Sequence, residues 1–317
     1  MILLKYDFKI EFYSTTSSNK NITGDAKPES SPKIIINTQH GIYVDISISN
    51  IYSSYNFVRA KQAKLVLWNL HLDFNNHIHE GDIVKIYYKK FAHEDSFTFI
   101  MAGYLGVPMS SDYPSGDFSI ELELHLASKS NFFNRELETK QFKGMTVEDA
   151  INFAFPGRNI INMSTNDRLK IIEEHIYART PKEFIEKLSK KYIQNVIADV
   201  GNGVDLVECN FIFTNHQLTG PDAHYESLED YGLEFIPKQE ITIGTTLNIR
   251  LIYWRAKLTY THKLKVGDRV SFRDSLGNII KSTICETNAS LSNSGECSLN
   301  LKLYDDINHL KKIKERI

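Results

Sequence analysis

The chain has 317 residues, with 37 Lys and Arg against 39 Asp and Glu, for a formal net charge of -2. Hydrophobic residues make up 42% and charged residues 24%, a globular composition that excludes a disordered or fibrous chain and a strongly basic nucleic-acid binder. No stretch approaches the ~18 consecutive apolar residues of a membrane span, and the opening MILLKYDFKIEF lacks the basic start and apolar run of a signal peptide.

In chain order, Leu4, Tyr6, Phe8, Ile10 and Phe12 alternate with Lys5, Asp7, Lys9 and Glu11, which predicts a strand with one buried and one wet face. Residues 14–33 hold almost nothing apolar and are expected to be a mobile surface loop. Strand-like runs follow at Ile34, Ile42–Ile48, Leu65–Leu70, Ile83–Tyr88, Phe97–Ile100 and Phe118–Leu126. The pattern then turns helical. Thr146-Val-Glu-Asp149 reads as a capped helix start closed by Pro156-Gly157, and Thr180-Pro-Lys-Glu183 as a capping box with Pro at the first helical position. Leu169–Arg179 fits neither template. Val204–Thr214 reads as a strand, 215–235 as a polar connection, and β patterns return from 236. Ile307, Leu310 and Ile317 share a helical face, so 305–317 is expected to be a short amphipathic helix with Lys311, Lys312, Lys314 and Arg316 on its wet side.

An internal repeat is the most informative feature. Residues 64–86 (KLVLWNLHLDFNNHIHEGDIVKI) align without a gap on 250–272 (RLIYWRAKLTYTHKLKVGDRVSF), with six identities. Trp68, Gly81, Asp82 and Val84 match Trp254, Gly267, Asp268 and Val270, and Leu65 and Leu72 match Leu251 and Leu258. The two tryptophans are the only ones in the chain, each thirteen residues before the glycine. The expected unit is a strand with a buried Trp, a polar excursion, and a tight turn. In that turn Gly supplies the backbone angle and Asp bonds its own turn.

The order of these motifs resembles the baseplate hub proteins of contractile and siphophage tails, the family that includes late control protein D. The segments that carry it are Gly81–Val84, Gly144–Asp149, Thr180–Phe184 and Leu264–Val270, and the likeness spans roughly 40–304. The sequence is also similar to an uncharacterised family from spirochaete plasmid prophages. The resemblance implies a homotrimer in which each chain supplies two pseudo-equivalent β-domains. The resulting pseudo-six-fold ring would dock a tail tube on one side and a three-fold spike on the other.

Other clusters carry less. His71, Asp73, His77, His79 and Glu80 offer zinc-type ligands, but the repeat partner has Lys257, Lys263 and Lys265 at the histidine positions, which favours a solvated loop. Cys285 and Cys297 lie symmetrically about Leu291, the centre of an expected hairpin turn, and read as two reduced thiols rather than a disulfide; Cys209 stands apart. Glu173-Glu174-His175 and Asp222, His224 and Glu226 mix acids with histidine as acid–base sites do, at a frequency expected of this composition. No phosphate-loop, dinucleotide, HExxH or GxSxG motif is present.

The expected fold is mainly β within α+β. Residues 1–128 form a first β-barrel or sandwich domain and 129–235 a middle segment with helices near 146–155 and 181–192. A second, related β-domain spans 236–304, followed by the terminal helix at 305–317. The expected function is a non-enzymatic tail-hub protomer, made in the bacterial cytoplasm and placed in the virion tail. It needs no cofactor or metal, and its partners are its own copies, a spike and a tube, with no specific nucleic acid. The alternatives are a cell-wall-degrading tail enzyme and a β-sandwich surface or glycan-binding module.

Overall fold

The computed structural model describes residues 6–20, 26–28, 30–51, 62–90, 96–112, 118–125, 136–137, 142–156, 159–161, 165–192, 196–199, 210–213, 224–243, 249–305 and 310–312. The strands are β1 Asp7–Tyr13, β2 Thr15–Lys20, β3 Ala26–Pro28, β4 Ile34–Asn37, β5 Tyr43–Ile51, β6 Gln62–Trp68, β7 Ile83–Lys89, β8 Thr98–Leu105, β9 Met109–Asp112 and β10 Phe118–His125. After them come α1 Val147–Ala154, β11 Asn159–Ile161, α2 Thr165–Leu169, α3 Pro181–Lys191, β12 Val196–Asp199 and β13 Asn210–Phe213. The last part holds β14 Glu226–Ser227, β15 Lys238–Ile243, β16 Ile249–Thr259, β17 Arg269–Arg273, β18 Ile279–Ser292, β19 Ser298–Asp305 and β20 Leu310–Lys312.

The chain is mainly β, and its main sheet runs β15-β16-β19-β18-β5-β6-β10-β8-β7-β1-β4, antiparallel at every step. Among the described residues this sheet does not close into a barrel. The early and late β-regions meet where β5 pairs with β18, from Ile51 opposite Glu286 to Asp45 opposite Ser292. Asn293 reinforces the seam. Its side chain accepts from Val44 N–H at 2.9 Å and donates to Ile42 O at 2.8 Å, imitating one more strand residue. The two regions share one buried cluster, from Phe8, Ile10 and Leu65 to Leu258, Leu301 and Leu303. Burying each such side chain contributes about 1.5–3 kcal/mol.

The middle segment has its own core of Val147, Ala150, Ile151, Phe155, Ile172, Phe184, Ile185 and Leu188. Thr146 Oγ1 accepts from Asp149 N–H at 3.1 Å and starts α1; Thr180 Oγ1 accepts from Glu183 N–H at 3.2 Å and starts α3, with Pro181 behind it. Leu169–Arg179, undecided from its pattern, begins at the end of α2 and continues without helix or strand, bridging Thr146 at Ile171. In the Val204–Thr214 stretch, 210–213 is β13 and the rest lies outside the described residues. Among the described residues no helix is long and apolar enough to cross a membrane.

Three further expectations change. Within 14–33, expected to be a loop, β2 and β3 pair as a hairpin. Within 305–317, Leu310–Lys312 is strand β20, paired with Ile249–Leu251 of β16, not helix. The second face of β1 is not wet: Asp7 and Glu11 are buried. Gln39 Nε2 donates to Asp7 at 3.0 Å, and Tyr13 OH donates to Glu11 at 2.7 Å.

Candidate functional site

The repeat-derived residues form two turns with the same internal bonding. In the first, Asp82 N–H donates to His79 O at 3.1 Å and His79 N–H donates back to Asp82 Oδ2 at 2.7 Å. In the second, Asp268 N–H donates to Lys265 O at 3.1 Å and Lys265 N–H donates to Asp268 Oδ2 at 2.7 Å. Gly81 and Gly267 occupy the third turn position at φ +92° and +96°, where a side chain is strained and glycine is not. Each glycine N–H then reaches the neighbouring strand, Gly81 to Leu105 O and Gly267 to Ile284 O, both at 2.8 Å. The return bonds are Leu105 N–H to Asp82 O at 2.7 Å and Ile284 N–H to Asp268 O at 2.9 Å. Val84 and Val270, two residues on, are fully buried.

The surroundings of the turns differ. The first is braced by the hairpin segment: Lys33 Nζ lies 2.5 Å from Asp82 Oδ2, and Thr15 Oγ1 donates to Gly81 O at 3.3 Å. No residue with this placement was anticipated in 14–33. Residues 14–33 lie outside both aligned segments, 64–86 and 250–272, so the repeat carries no signal for this brace.

The tryptophans are not equivalent, which corrects the gapless alignment. Trp254 lies on the core face of β16 with Ala256 and Leu258, edge-on to Phe272 at 5.3 Å, and its Nε1 donates to Asp305 at 3.2 Å. In β6 the core face holds Ala63, Leu65 and Leu67. Trp68 is half-buried on the opposite face with Lys64 and Val66, paired with Tyr43 of β5.

The remaining candidates do not converge on a chemical centre. His71, His77 and His79 are exposed around a short 3-10 turn, and among the described residues no group of three or more His, Cys, Asp or Glu is arranged to hold a metal ion. Cys285 and Cys297 are buried and free. Leu291 lies within β18 rather than at the turn, so the cysteines do not face each other; Cys285 sits at a bulge and donates to Lys302 O at 3.1 Å, and Cys297 donates to Ser292 O at 3.2 Å. Burial pushes both thiols up, Cys297 to about 11, which leaves them protonated and weakly nucleophilic. Cys209 and Asp222 lie outside the described residues. Glu173, Glu174 and His175 are exposed, as are His224 and Glu226, and Glu226 accepts from Tyr231 OH.

A family model described as a protein of unknown function, DUF693, matches residues 1–308. The chain belongs to the DUF693 family. No curated protein matches it. Solved structures similar to this DUF693 chain include the 43 kDa tail protein of prophage MuSo2 from Shewanella oneidensis. That match has 11% identity and a TM-score of 0.56, over 96% of this chain and 97% of that one. A tail protein from Neisseria meningitidis MC58 matches at 10% identity and TM-score 0.58, over 94% and 97%. A chain of the half-lidded Francisella PdpA-VgrG complex matches at 13% identity and TM-score 0.51, over 96% of the DUF693 chain but 59% of its own length. At these identities the likeness is one of fold.

Proposed function

We propose that this chain is a structural, non-enzymatic protomer of a phage or phage-like tail, a baseplate-hub component that assembles as a homotrimer. One observation carries the reading: two Gly-Asp turns, 186 residues apart, repeat the same three backbone bonds and the same side-chain bond, each at the entry to a core strand. That is what an internally duplicated chain retains when its loops and strand lengths have diverged. Three copies then present six similar β-regions. A closed homo-oligomer otherwise repeats each patch once per chain, so duplication lets a three-fold ring meet a six-fold tube while keeping three-fold symmetry for a spike. The shared fold with two tail proteins over nearly the whole chain supports a tail role. The likeness to a chain of a PdpA-VgrG complex supports tail-type protein partners. The candidate acid–base groups are exposed and dispersed, which supports a structural role over a catalytic one. After cytoplasmic synthesis the chain takes its place in the virion tail.

The test is solution mass by light scattering on a sizing column across a concentration series. The expected value is three times 36.5 kDa. A stable dimer overturns the hub reading, because two chains cannot supply six regions. A monomer at every concentration overturns self-assembly.

A further inference from the structure

Exposed apolar side chains gather at one sheet edge. Phe235 (65% exposed) and Ile236 (57%) lead into β15, and Ile241 (50%) lies on it. Among the described residues β15 pairs only with β16, so its outer backbone edge is open. An open, apolar strand edge is a template for another strand. From β15 the sheet runs through β16, β19, β18, β5, β6 and β10 to β9, eight strands that are antiparallel at every step. One face of this run is core, with Trp254, Leu301, Ala289, Ile46, Leu65 and Leu122, and the other is largely polar. At its far end β9 pairs only with β10 among the described residues, and Val107 (65%) and Met109 (48%) are exposed there.

Strand sense decides which edge answers β15. Eight alternating strands end on one that runs opposite to the first, so β9 is antiparallel to β15. A second copy placed head to tail therefore extends the ladder without reversing it, and polar face follows polar face. The other open end, β4, is the eleventh strand of the long path and runs parallel to β15. It would break an otherwise antiparallel ladder.

We propose that β15 of one copy adds to β9 of a second copy as an antiparallel strand pair. Backbone bonds supply the affinity, and the apolar side chains at both edges leave water. The contact is heterologous, so it closes into a ring or continues as a filament. Closure at three rests on the proposed hub function; the pairing itself does not.

The test places Lys238→Cys on β15 and Met109→Cys on β9, both at exposed positions, in the full chain, and applies a short bifunctional maleimide. The expected result is covalent multimers that stop at three chains and are absent from proteins that carry either substitution alone. Trimeric mass without the link, or a link from Lys238→Cys to Ile35→Cys on β4, overturns the pairing and leaves the hub reading standing. A ladder that passes three chains upholds the pairing and overturns three-fold closure. A monomer with no link overturns both. As a second probe, Ile241→Lys keeps the monomer's circular dichroism and melting and raises the concentration needed for assembly by about tenfold or more; unchanged assembly overturns the pairing.

Discussion

The two Gly-Asp turns agree with each other far better than the strands that lead into them. Between Gly81 and Gly267 the φ angles differ by a few degrees and the side-chain bonds share one length of 2.7 Å. Yet β6 ends at Trp68, where a 3-10 turn over Leu72–His77 follows after a few residues, while β16 continues five residues past Trp254 to Thr259. A turn of four residues is closed by its own bonds and tolerates change around it. A strand's facing is set by its partners and by a period of two, so an odd shift in pairing moves every side chain to the other face. The likeness between the two regions thus lies in the turn with the strand it launches, not in the whole aligned segment.

The largest test of this comparison is the tryptophan pair. Trp254→Ala removes a buried ring that packs on Phe272 and is expected to cost about 3–5 kcal/mol. Trp68→Ala, on the opposite half-buried face, should cost about 1 kcal/mol. Denaturant midpoints measure both. Equal losses would restore the gapless repeat and undo the facing assigned here. In the same proteins, emission from Trp254 alone should lie to the blue of emission from Trp68 alone.

A smaller effect separates the turns themselves. Asp82→Ala and Asp268→Ala each strip the acceptor from one turn N–H, worth about 1 kcal/mol. Asp82 also holds Lys33 at 2.5 Å with little exposure, so its loss should cost about 1 kcal/mol more. Lys33→Met should erase that excess and leave the two aspartates equal. If the excess survives Lys33→Met, the Lys33 brace is not what distinguishes the first turn.

Much of the architecture was legible because local chemistry declares it. Alternating runs became β1, β5, β7 and β10, and the Thr146 and Thr180 caps start α1 and α3. What escaped was decided at long range. The spacing of Ile307 and Leu310 suits a helix, but Ile249–Leu251 of β16 offers backbone partners to 310–312, and pairing with them outweighs a marginal short helix. The seam between β5 and β18 joins residues some 240 apart, and its Asn293 brace is a lone asparagine with no pattern around it. Of the candidate site, the Gly-Asp turns could be read from the repeat. The open edges of β15 and β9 could not, because an edge is defined by the strand that is missing beside it.

The smallest effect tests a layer present on the first β-region. On the second face of β1, Lys9 lies 3.0 Å from Glu11 and over the Tyr87 ring at 4.4 Å, and Lys85 lies over the Tyr13 ring at 4.5 Å. Burial alone would raise the Glu11 carboxyl. Hydrogen bonds from Tyr13, Lys9 and Tyr87 outweigh it and hold the group below its ordinary value of 4.5, while burial and the Glu11 charge push Tyr13 up to about 12. A carboxyl lowered on folding contributes stability that is present above its unfolded value and is lost as pH falls through its folded one. The stability advantage of the native chain over Glu11→Gln should therefore be full at pH 7 and shrink as the pH drops below 4.5. Hydrogen exchange should place the early loss at β1, β7 and β8 rather than at β16 and β19. A constant gap between the two proteins from pH 7 down would mean that Glu11 is held by shape and not by charge. The first region would then owe its extra layer to the aromatic rings alone.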